Sequence, residues 1–240
     1  MFTGIRNRPA VVSGLLVLSA SGGVRAHDAA QVGLRVDDAG RLVTRAYFGG
    51  TAFGGDDRVF GGTLDLVAGV PTGDEPAIAA PAGTFTAAGH LRIAFTQPLQ
   101  IWVGSFFAPY AGRVQAAASS GSSAWTPTVP LDAALAPGID LPVTGDSDLH
   151  EHPTYTLAGA FGRQAPTGIY LAEAVALGPD LDLLASEPFW IVFNFGRPHA
   201  EHDAVKDWAR ENLVPAPACA APISLGLLAA GRRRRRATSG

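Results

Sequence analysis

The chain has 240 residues, of which 47% are hydrophobic and 16% are charged, and its formal net charge is −3 at pH 7. All 21 acidic residues but only ten of the 18 basic residues lie within residues 27–214, so that segment alone carries −11. This charge excludes proteins that bind nucleic acid or anionic lipid through clustered cations. The single cysteine, Cys219, lies outside the segment, which excludes a disulfide, a thiol nucleophile and a thiolate zinc site within it.

The first predicted element is a signal peptide over residues 1–26. Arg6 and Arg8 give it a positively charged start, and residues 11–18 form an apolar stretch. Residues 24–26 (Val-Arg-Ala) fit the small-x-small rule for cleavage before His27. Because the apolar stretch is too short to span a membrane permanently, we predict export from the cytoplasm and a mature domain over residues 27–213.

Alternation of apolar and polar residues predicts strands through most of this domain. Residues 31–36 and 41–48 alternate on either side of Asp-Asp-Ala-Gly, which predicts a hairpin. Further strands are predicted at residues 63–67, 91–96, 99–107, 155–159, 169–177 and 188–195. The last of these is the most apolar run and is predicted to be a central buried strand. Residues 69–86 and 116–144 are rich in turn residues and are predicted to be surface loops.

One helix is predicted, over residues 200–212. It follows Pro198 and places Ala204, Val205 and Trp208 at helical spacing. With the strands, this predicts a mostly β protein, namely an antiparallel, jelly-roll-like β-sandwich with one short C-terminal helix. We expect Trp208 to pack that helix onto the sandwich, although a partner-binding helix is the alternative.

Residues 214–240 have the order of a membrane-sorting segment: a proline-rich motif, an apolar run over residues 218–231, and an arginine block. The sorting motif is Val214, Pro215, Ala216 and Pro217, and the arginine block is Arg232, Arg233, Arg234, Arg235 and Arg236. The apolar run can enter a bilayer while the arginines stay on the cytoplasmic side. The alternative is a buried helix followed by a solvated basic tail. The order resembles the PEP-CTERM sorting signal of Gram-negative bacteria, with alanine where that family usually has glutamate, and it implies removal by the membrane protease exosortase.

The mature domain resembles a recurring group of exported PEP-CTERM proteins along most of its length. The resemblance rests on residues 40–44 (GRLVT), 148–152 (DLHEH), 168–171 (GIYL), 186–194 (SEPFWIVFN), 201–204 (EHDA) and Trp208. The Glu-Pro-Phe-Trp-Ile-Val-Phe-Asn string is its most specific part. Because members of the group are mostly uncharacterised, the resemblance implies location and fold more than an activity.

Histidines provide the candidate chemical site. His150 and His152 are two residues apart, so both rings are expected on one side of an extended segment. His199 and His202 are expected on one helix face. Four imidazoles, or three with Glu151 or Glu201, would bind Zn²⁺ or Cu²⁺ if the two pairs converged at one end of the domain. The alternative is that these histidines cap strands and satisfy buried backbone groups.

His27 would become the first residue after removal of the signal peptide. An N-terminal amine and its imidazole can chelate copper together, as in the histidine brace of lytic polysaccharide monooxygenases, which also use a β-sandwich. His150, His152 or His202 would then supply the second imidazole. The alternative is an incidental histidine at a cleavage site.

The sequence has no Gly-x-Ser-x-Gly elbow and no phosphate loop, which argues against hydrolysis and nucleotide binding. Two other functions are predicted. The first is a non-enzymatic cell-surface or extracellular-matrix protein, with the exosortase-type protease and the secretion machinery as partners. The second is a secreted zinc- or copper-binding protein, or a copper enzyme. Aromatic side chains could line a face for extracellular polysaccharide or could belong to the core, and they are Trp102, Phe106, Phe107, Tyr110 and Trp125.

Overall fold

Two β-sheets and one α-helix make up the part of the chain that the computed structural model describes, which is residues 30–48, 51–145 and 147–215. The strands in chain order are β1 (Gln31–Val36), β2 (Leu42–Phe48), β3 (Thr51–Asp56), β4 (Val59–Val67), β5 (Val70–Gly73), β6 (Ile78–Ala80), β7 (Gly89–Phe95), β8 (Gln100–Trp102), β9 (Phe107–Pro109), β10 (Arg113–Ala117), β11 (Ser123–Trp125), β12 (Gly138–Val143), β13 (Leu149–Glu151), β14 (Thr154–Ala158), β15 (Gly168–Leu177) and β16 (Phe189–Phe195). A short 3₁₀ helix (Ala160–Gly162) follows β14, and α1 (His199–Asn212) follows β16.

The smaller sheet has five strands in the order β13-β6-β1-β2-β3. The predicted β1–β2 hairpin is confirmed, and its turn places Gly40 at a φ of 76°, which glycine adopts without steric cost. The side chain of Asp37 accepts hydrogen bonds from the backbone N–H groups of Ala39 and Arg41, which closes the turn. Strand β6 pairs with β1 in parallel and with β13 in antiparallel orientation, which brings β13 to the edge of the sheet.

The larger sheet has the order β11-β10-β14-β5-β4-β16-β15-β7-β12, with β8 and β9 added beside β15. Strand β16 lies in its middle between β4 and β15, and all seven of its residues are buried. The prediction of a central buried strand at residues 188–195 is therefore confirmed. A strand with apolar side chains on both faces needs cover on both faces, and the core and α1 provide it.

The two end strands of the larger sheet meet, so the sheet curls on itself. The N–H of Asp140 in β12 donates to Ser122 Oγ at 2.9 Å. The carbonyl oxygen of Asp140 accepts from Ser120 Oγ at 2.8 Å and from Ser122 Oγ at 3.0 Å. Serine hydroxyls beside β11 thus satisfy backbone groups of the opposite end strand, and they cover part of an edge that would otherwise be open to other chains.

A single large cluster of buried side chains joins the two sheets. Val32, Leu34 and Leu42 from the smaller sheet share it with Phe60 and Phe193 from the larger one. The ring of Phe193 packs against that of Tyr155 with centroids 5.0 Å apart. Because the cluster draws on both sheets, burial of apolar surface between them is the main stabilising contribution to this fold.

Helix α1 packs on the opposite face of β4 and β16 from the main core. Its buried residues are His202, Val205 and Ala209. Trp208 contacts Trp102, with ring centroids 5.0 Å apart, so the predicted packing of Trp208 is confirmed. Ala204, which was expected on the same face, is exposed, because the face that packs on the sheet is the one through residues 202, 205 and 209.

Several sequence expectations need correction. The pairings β4–β16 and β1–β6 are parallel, so the sheets are mixed rather than wholly antiparallel. Residues 99–107 form a hairpin of β8 and β9 instead of one strand, because a turn containing Gly104 at a φ of 102° reverses the chain. The predicted loops at residues 69–86 and 116–144 contain β5, β6, β11 and β12. Strands β6 and β11 have only three residues each, and β5 and β12 contain proline and glycine.

Candidate functional site

His150 lies in the edge strand β13, and His152 follows directly after that strand. The register partner of His150 is Ala79 in β6. Since Ile78 and Ala80 belong to the core, alternation along the strands places Ala79 and His150 on the outer face of the smaller sheet. The prediction that His150 and His152 lie on the same side of an extended segment is confirmed by their ring contact.

The two imidazole rings are stacked, and their Nε2 atoms are within hydrogen-bond distance of each other. Their ring centroids are 4.9 Å apart at an interplanar angle of 30°. Nε2 of His152 lies 3.0 Å from Nε2 of His150. When both rings are neutral, one Nε2 must carry a hydrogen and the other must accept it.

The other ring nitrogen of His152 decides which Nε2 accepts. Nδ1 of His152 lies 3.3 Å from the carbonyl oxygen of Asp74 and 3.7 Å from Oε1 of Glu75. Both are acceptors, so the hydrogen of the neutral ring is placed on Nδ1. The lone pair on Nε2 of His152 therefore faces His150.

Three contacts from different elements position the segment with Asp74 and Glu75. The second carboxylate oxygen of Glu75 accepts the N–H of Ala77 at 2.9 Å, and the buried hydroxyl of Tyr155 donates to the carbonyl of Pro76 at 3.0 Å. A Cβ on Gly62 would lie 2.3 Å from the carbonyl oxygen of Glu75, so β4 can approach this segment only with glycine at that position. The acceptors of His152 are thus held by β4, β14 and the start of β6.

Gln31 completes the cluster, and the sequence analysis did not identify it. Its side-chain nitrogen lies 3.4 Å from Nε2 of His150, and the residue is only 3% exposed. Its carbonyl oxygen Oε1 is buried and has no hydrogen-bond partner among the described residues. A buried amide oxygen without a partner is costly and therefore calls for an explanation. No local pattern identifies Gln31, because its approach to His150 depends on the β1–β6–β13 pairing.

Glu151 does not join the histidine pair. Its carboxylate accepts the N–H of Ser119 at 2.6 Å and the hydroxyl of Ser119 at 2.7 Å. In the register, Glu151 pairs with Ile78, on the face opposite to His150. Its side chain therefore fastens β13 to the turn after β10.

His199 and His202 have different environments although both lie in α1. His199 is exposed, whereas His202 is 5% exposed and its Nε2 donates to the carbonyl of Val192 at 2.8 Å. Burial lowers the pKa of His202 from its ordinary value of 6.5, a positive charge on Lys206 lowers it further, and the bond to Val192 opposes both. His202 is thus a neutral, packed residue.

The described residues contain no group of three or more His, Cys, Asp or Glu side chains that could hold a metal ion. The expected site with four imidazoles, or with three and Glu151 or Glu201, is therefore not formed by them. The physical reason is that the ring nitrogen of His202 is used by the backbone of β16 and the carboxylate of Glu151 by Ser119. What the structure does bring together is His150, His152 and Gln31.

The aromatic residues proposed as a sugar-binding face do not share one surface. Trp102 and Phe107 pack with Trp208 under α1, and Tyr110 packs on Tyr170 with centroids 5.3 Å apart. Phe106 and Trp125 are exposed.

Several predicted features lie outside the described residues. They are the signal peptide, His27, the apolar run at residues 218–231, and, of the sorting segment, Ala216, Pro217, Arg232, Arg233, Arg234, Arg235 and Arg236. Within residues 30–48, 51–145 and 147–215, no helix is both long enough and apolar enough to cross a membrane.

Comparisons with protein-family models, with curated proteins and with solved structures found no match for this chain.

Proposed function

We propose that the chain is an exported protein, processed by an exosortase-type protease, that acts at the cell surface or in the extracellular matrix without catalysis. The observation that carries this proposal is the order of the sorting motif, the apolar run and the arginine block in residues 214–240. The signal-peptide pattern at residues 1–26 supports it independently. The charge of −11 on residues 27–214 suits a soluble surface protein and not a partner of nucleic acid.

The boundary between the domain and the sorting motif is compatible with processing. Leu213 and Val214 pack against the cluster beneath α1, and Pro215, the last of the described residues, is exposed. Helix α1 and all strands of the two described sheets therefore lie before residue 214, where the motif begins. Cleavage within or after the motif would leave α1 and both sheets intact.

For the architecture, we propose a jelly-roll-like β-sandwich in which the smaller sheet packs face to face with the curled larger sheet. The shared core of Val32, Leu34, Phe60 and Phe193 supports this arrangement. As a partner we propose an extracellular polysaccharide. Of the five aromatic residues named from the sequence, Phe106 and Trp125 are exposed and could each contact it.

The export proposal is tested by removing the arginine block. Deleting residues 232–236 should change processing or membrane retention, because that block sets the orientation of the apolar run. Replacing the same five arginines with five lysines is the matched control and should preserve sorting. If the truncated chain is sorted like the intact one, the sorting proposal is wrong.

A second candidate function is that of a secreted protein that binds a zinc or copper ion, as a binding protein or a copper enzyme. The observation that favours it is the 3.0 Å separation between the Nε2 atoms of His150 and His152. Elemental analysis of the purified protein should then find a metal in a fixed ratio to the chain. A metal-free protein that also fails to take up added Zn²⁺ or Cu²⁺ would leave only the first function.

A further inference from the structure

We propose that Gln31, His150 and His152 form a copper(II) site on the outer face of the smaller sheet. This proposal rests on the second candidate function and adds to it the ligand set and the preferred ion. The ligands are Nε2 of both histidines and the side-chain oxygen of Gln31. Water fills the remaining coordination positions of the ion, since His150 is exposed at the edge strand β13.

The separation of the two nitrogens is short enough for both to bind one ion. Imidazole nitrogens lie about 2.0 Å from a bound ion, so two of them 3.0 Å apart subtend roughly 95° at that ion. A tetrahedral ion would need them about 3.3 Å apart at the same bond length. An angle near 90° between neighbouring nitrogen and oxygen ligands is typical of tetragonal Cu²⁺.

The side-chain oxygen of Gln31 is the third ligand of the proposed site. Its side-chain nitrogen lies 3.4 Å from Nε2 of His150, and its oxygen is buried with no hydrogen-bond partner among the described residues. The nitrogen and oxygen of an amide exchange places by a half-turn of the terminal group. The half-turn directs the oxygen at the two imidazoles, where a glutamine carbonyl can serve as a weak copper ligand.

The protein orients His152 for this task before an ion binds. Its Nδ1–H faces the carbonyl of Asp74 and the carboxylate of Glu75, at 3.3 and 3.7 Å. Metal-bound histidines usually donate their second N–H to a carbonyl or a carboxylate. In the metal-free protein the Nε2–H of His150 donates to His152. When the ion binds, that hydrogen moves to Nδ1 of His150 without net release of a proton. Both rings then turn slightly, so that the Nε2 lone pairs point at the ion instead of along the line between the two nitrogens.

The short side chain of Ala79 in β6 leaves space for Gln31, His150 and His152. Strand β6 separates β1 from β13, and Ala79 is the register partner of both Gly33 and His150. A larger side chain at position 79 would lie beside His150, because register partners lie on the same face of a sheet. A Cβ on Gly33 would lie 2.8 Å from the Cβ of Tyr47, so glycine at that position serves the packing of β2. The short side chain of Ala79 therefore allows ligands from strands that are not neighbours to meet above β6.

The test uses the full chain, stripped of metal with EDTA and titrated separately with CuSO₄ and ZnSO₄. We expect one Cu²⁺ per chain, bound more tightly than Zn²⁺, as the order of divalent affinities also requires. The electron paramagnetic resonance spectrum of the copper form should be that of a tetragonal ion with hyperfine structure from imidazole nitrogen. Tighter binding of Zn²⁺ than of Cu²⁺ would overturn the assignment of the ion.

Single substitutions test the ligand set. His150→Ala and His152→Ala should each weaken Cu²⁺ binding by more than about 100-fold, since even loss of an outer hydrogen-bond partner weakens metal sites by 10–100-fold. Gln31→Leu should weaken it by about 10-fold, as expected for a weaker ligand, and should change the copper spectrum. Circular dichroism of each metal-free variant identifies any that fails to fold.

His90→Ala and His199→Ala are the matched controls, because both remove exposed histidines that lie outside the cluster. They should leave Cu²⁺ affinity unchanged. Stoichiometric copper that is insensitive to His150, His152 and Gln31 would overturn the site while leaving the second candidate function in place. If Zn²⁺ binds and Cu²⁺ does not, the copper site falls and the second candidate function stands. If neither ion binds, both fall, and the export proposal still stands on its own test.

Discussion

The two histidine pairs of this protein have similar spacing in the sequence and opposite environments in the fold. His150 and His152 lie at an exposed edge of the smaller sheet, with their Nε2 atoms 3.0 Å apart. His202 is buried against the central strand of the larger sheet, and its partner His199 is exposed. The difference teaches that the packing around an imidazole, and not its spacing from another, decides whether its nitrogens can serve a ligand.

The contrast predicts that the region around β16 governs stability, whereas the region around β13 governs binding. Phe193→Ala should lower the free energy of unfolding by about 3–5 kcal/mol, because it leaves a cavity in the main core. Phe161→Ala is the control, since Phe161 is 95% exposed and its loss should cost less than about 0.5 kcal/mol. Urea unfolding measures both, and equal losses would refute the assignment of β16 to the core.

Gly62 connects the two regions. Gly62→Ala should lower the free energy of unfolding by about 1–3 kcal/mol, because its Cβ would overlap the Glu75 carbonyl and the β4 backbone would have to move. The same change at Gly55, which has no atom within 4 Å of the added Cβ, should cost less than about 0.5 kcal/mol. A tolerated Gly62→Ala would show that the segment carrying Glu75 is not held by β4.

His202 predicts a pH dependence of the free energy of unfolding. Because burial lowers its pKa in the folded state, the unfolded chain binds the proton more readily. The stabilising effect of the neutral ring is therefore present above the ordinary value of 6.5 and is lost as pH falls below it.

Urea unfolding at pH 7 and pH 5 measures this effect. His202→Gln keeps an N–H donor for Val192 but cannot titrate, so its stability should fall less between the two pH values than that of the unaltered protein. Ala204→Gln is the control, since Ala204 is exposed on the same helix and the new side chain does not titrate, and it should retain the full loss. Equal pH dependence in the His202 variant and the unaltered protein would argue against a buried neutral ring.

The smallest expected effect is at β13. His150→Ala should lower the free energy of unfolding of the metal-free protein by less than about 1 kcal/mol, because the side chain is exposed at an edge strand. Added Cu²⁺ should raise the melting temperature of the unaltered protein and not that of the variant. A large loss without metal would make His150 a structural residue.

Elements that are stabilised by interactions between residues close in the sequence could be predicted from the sequence. The β1–β2 hairpin follows from two alternating runs around a turn closed by Asp37, and α1 follows from the residues after Pro198. Some missed strands, such as β5, β6 and β13, are only three or four residues long and have too few positions to show a period of two. The five- and six-residue strands β3, β10 and β12 were missed as well.

For the candidate site, the sequence by itself determined that His150 and His152 face the same way, since alternation along an extended segment requires it. It also determined the charge of residues 27–214 and the order of the sorting segment. Only the tertiary structure decided that Gln31 meets His150, that Glu151 turns to Ser119 and that His202 is buried. The physical reason is that strand pairing joins residues 119 positions apart, and no local interaction encodes that contact.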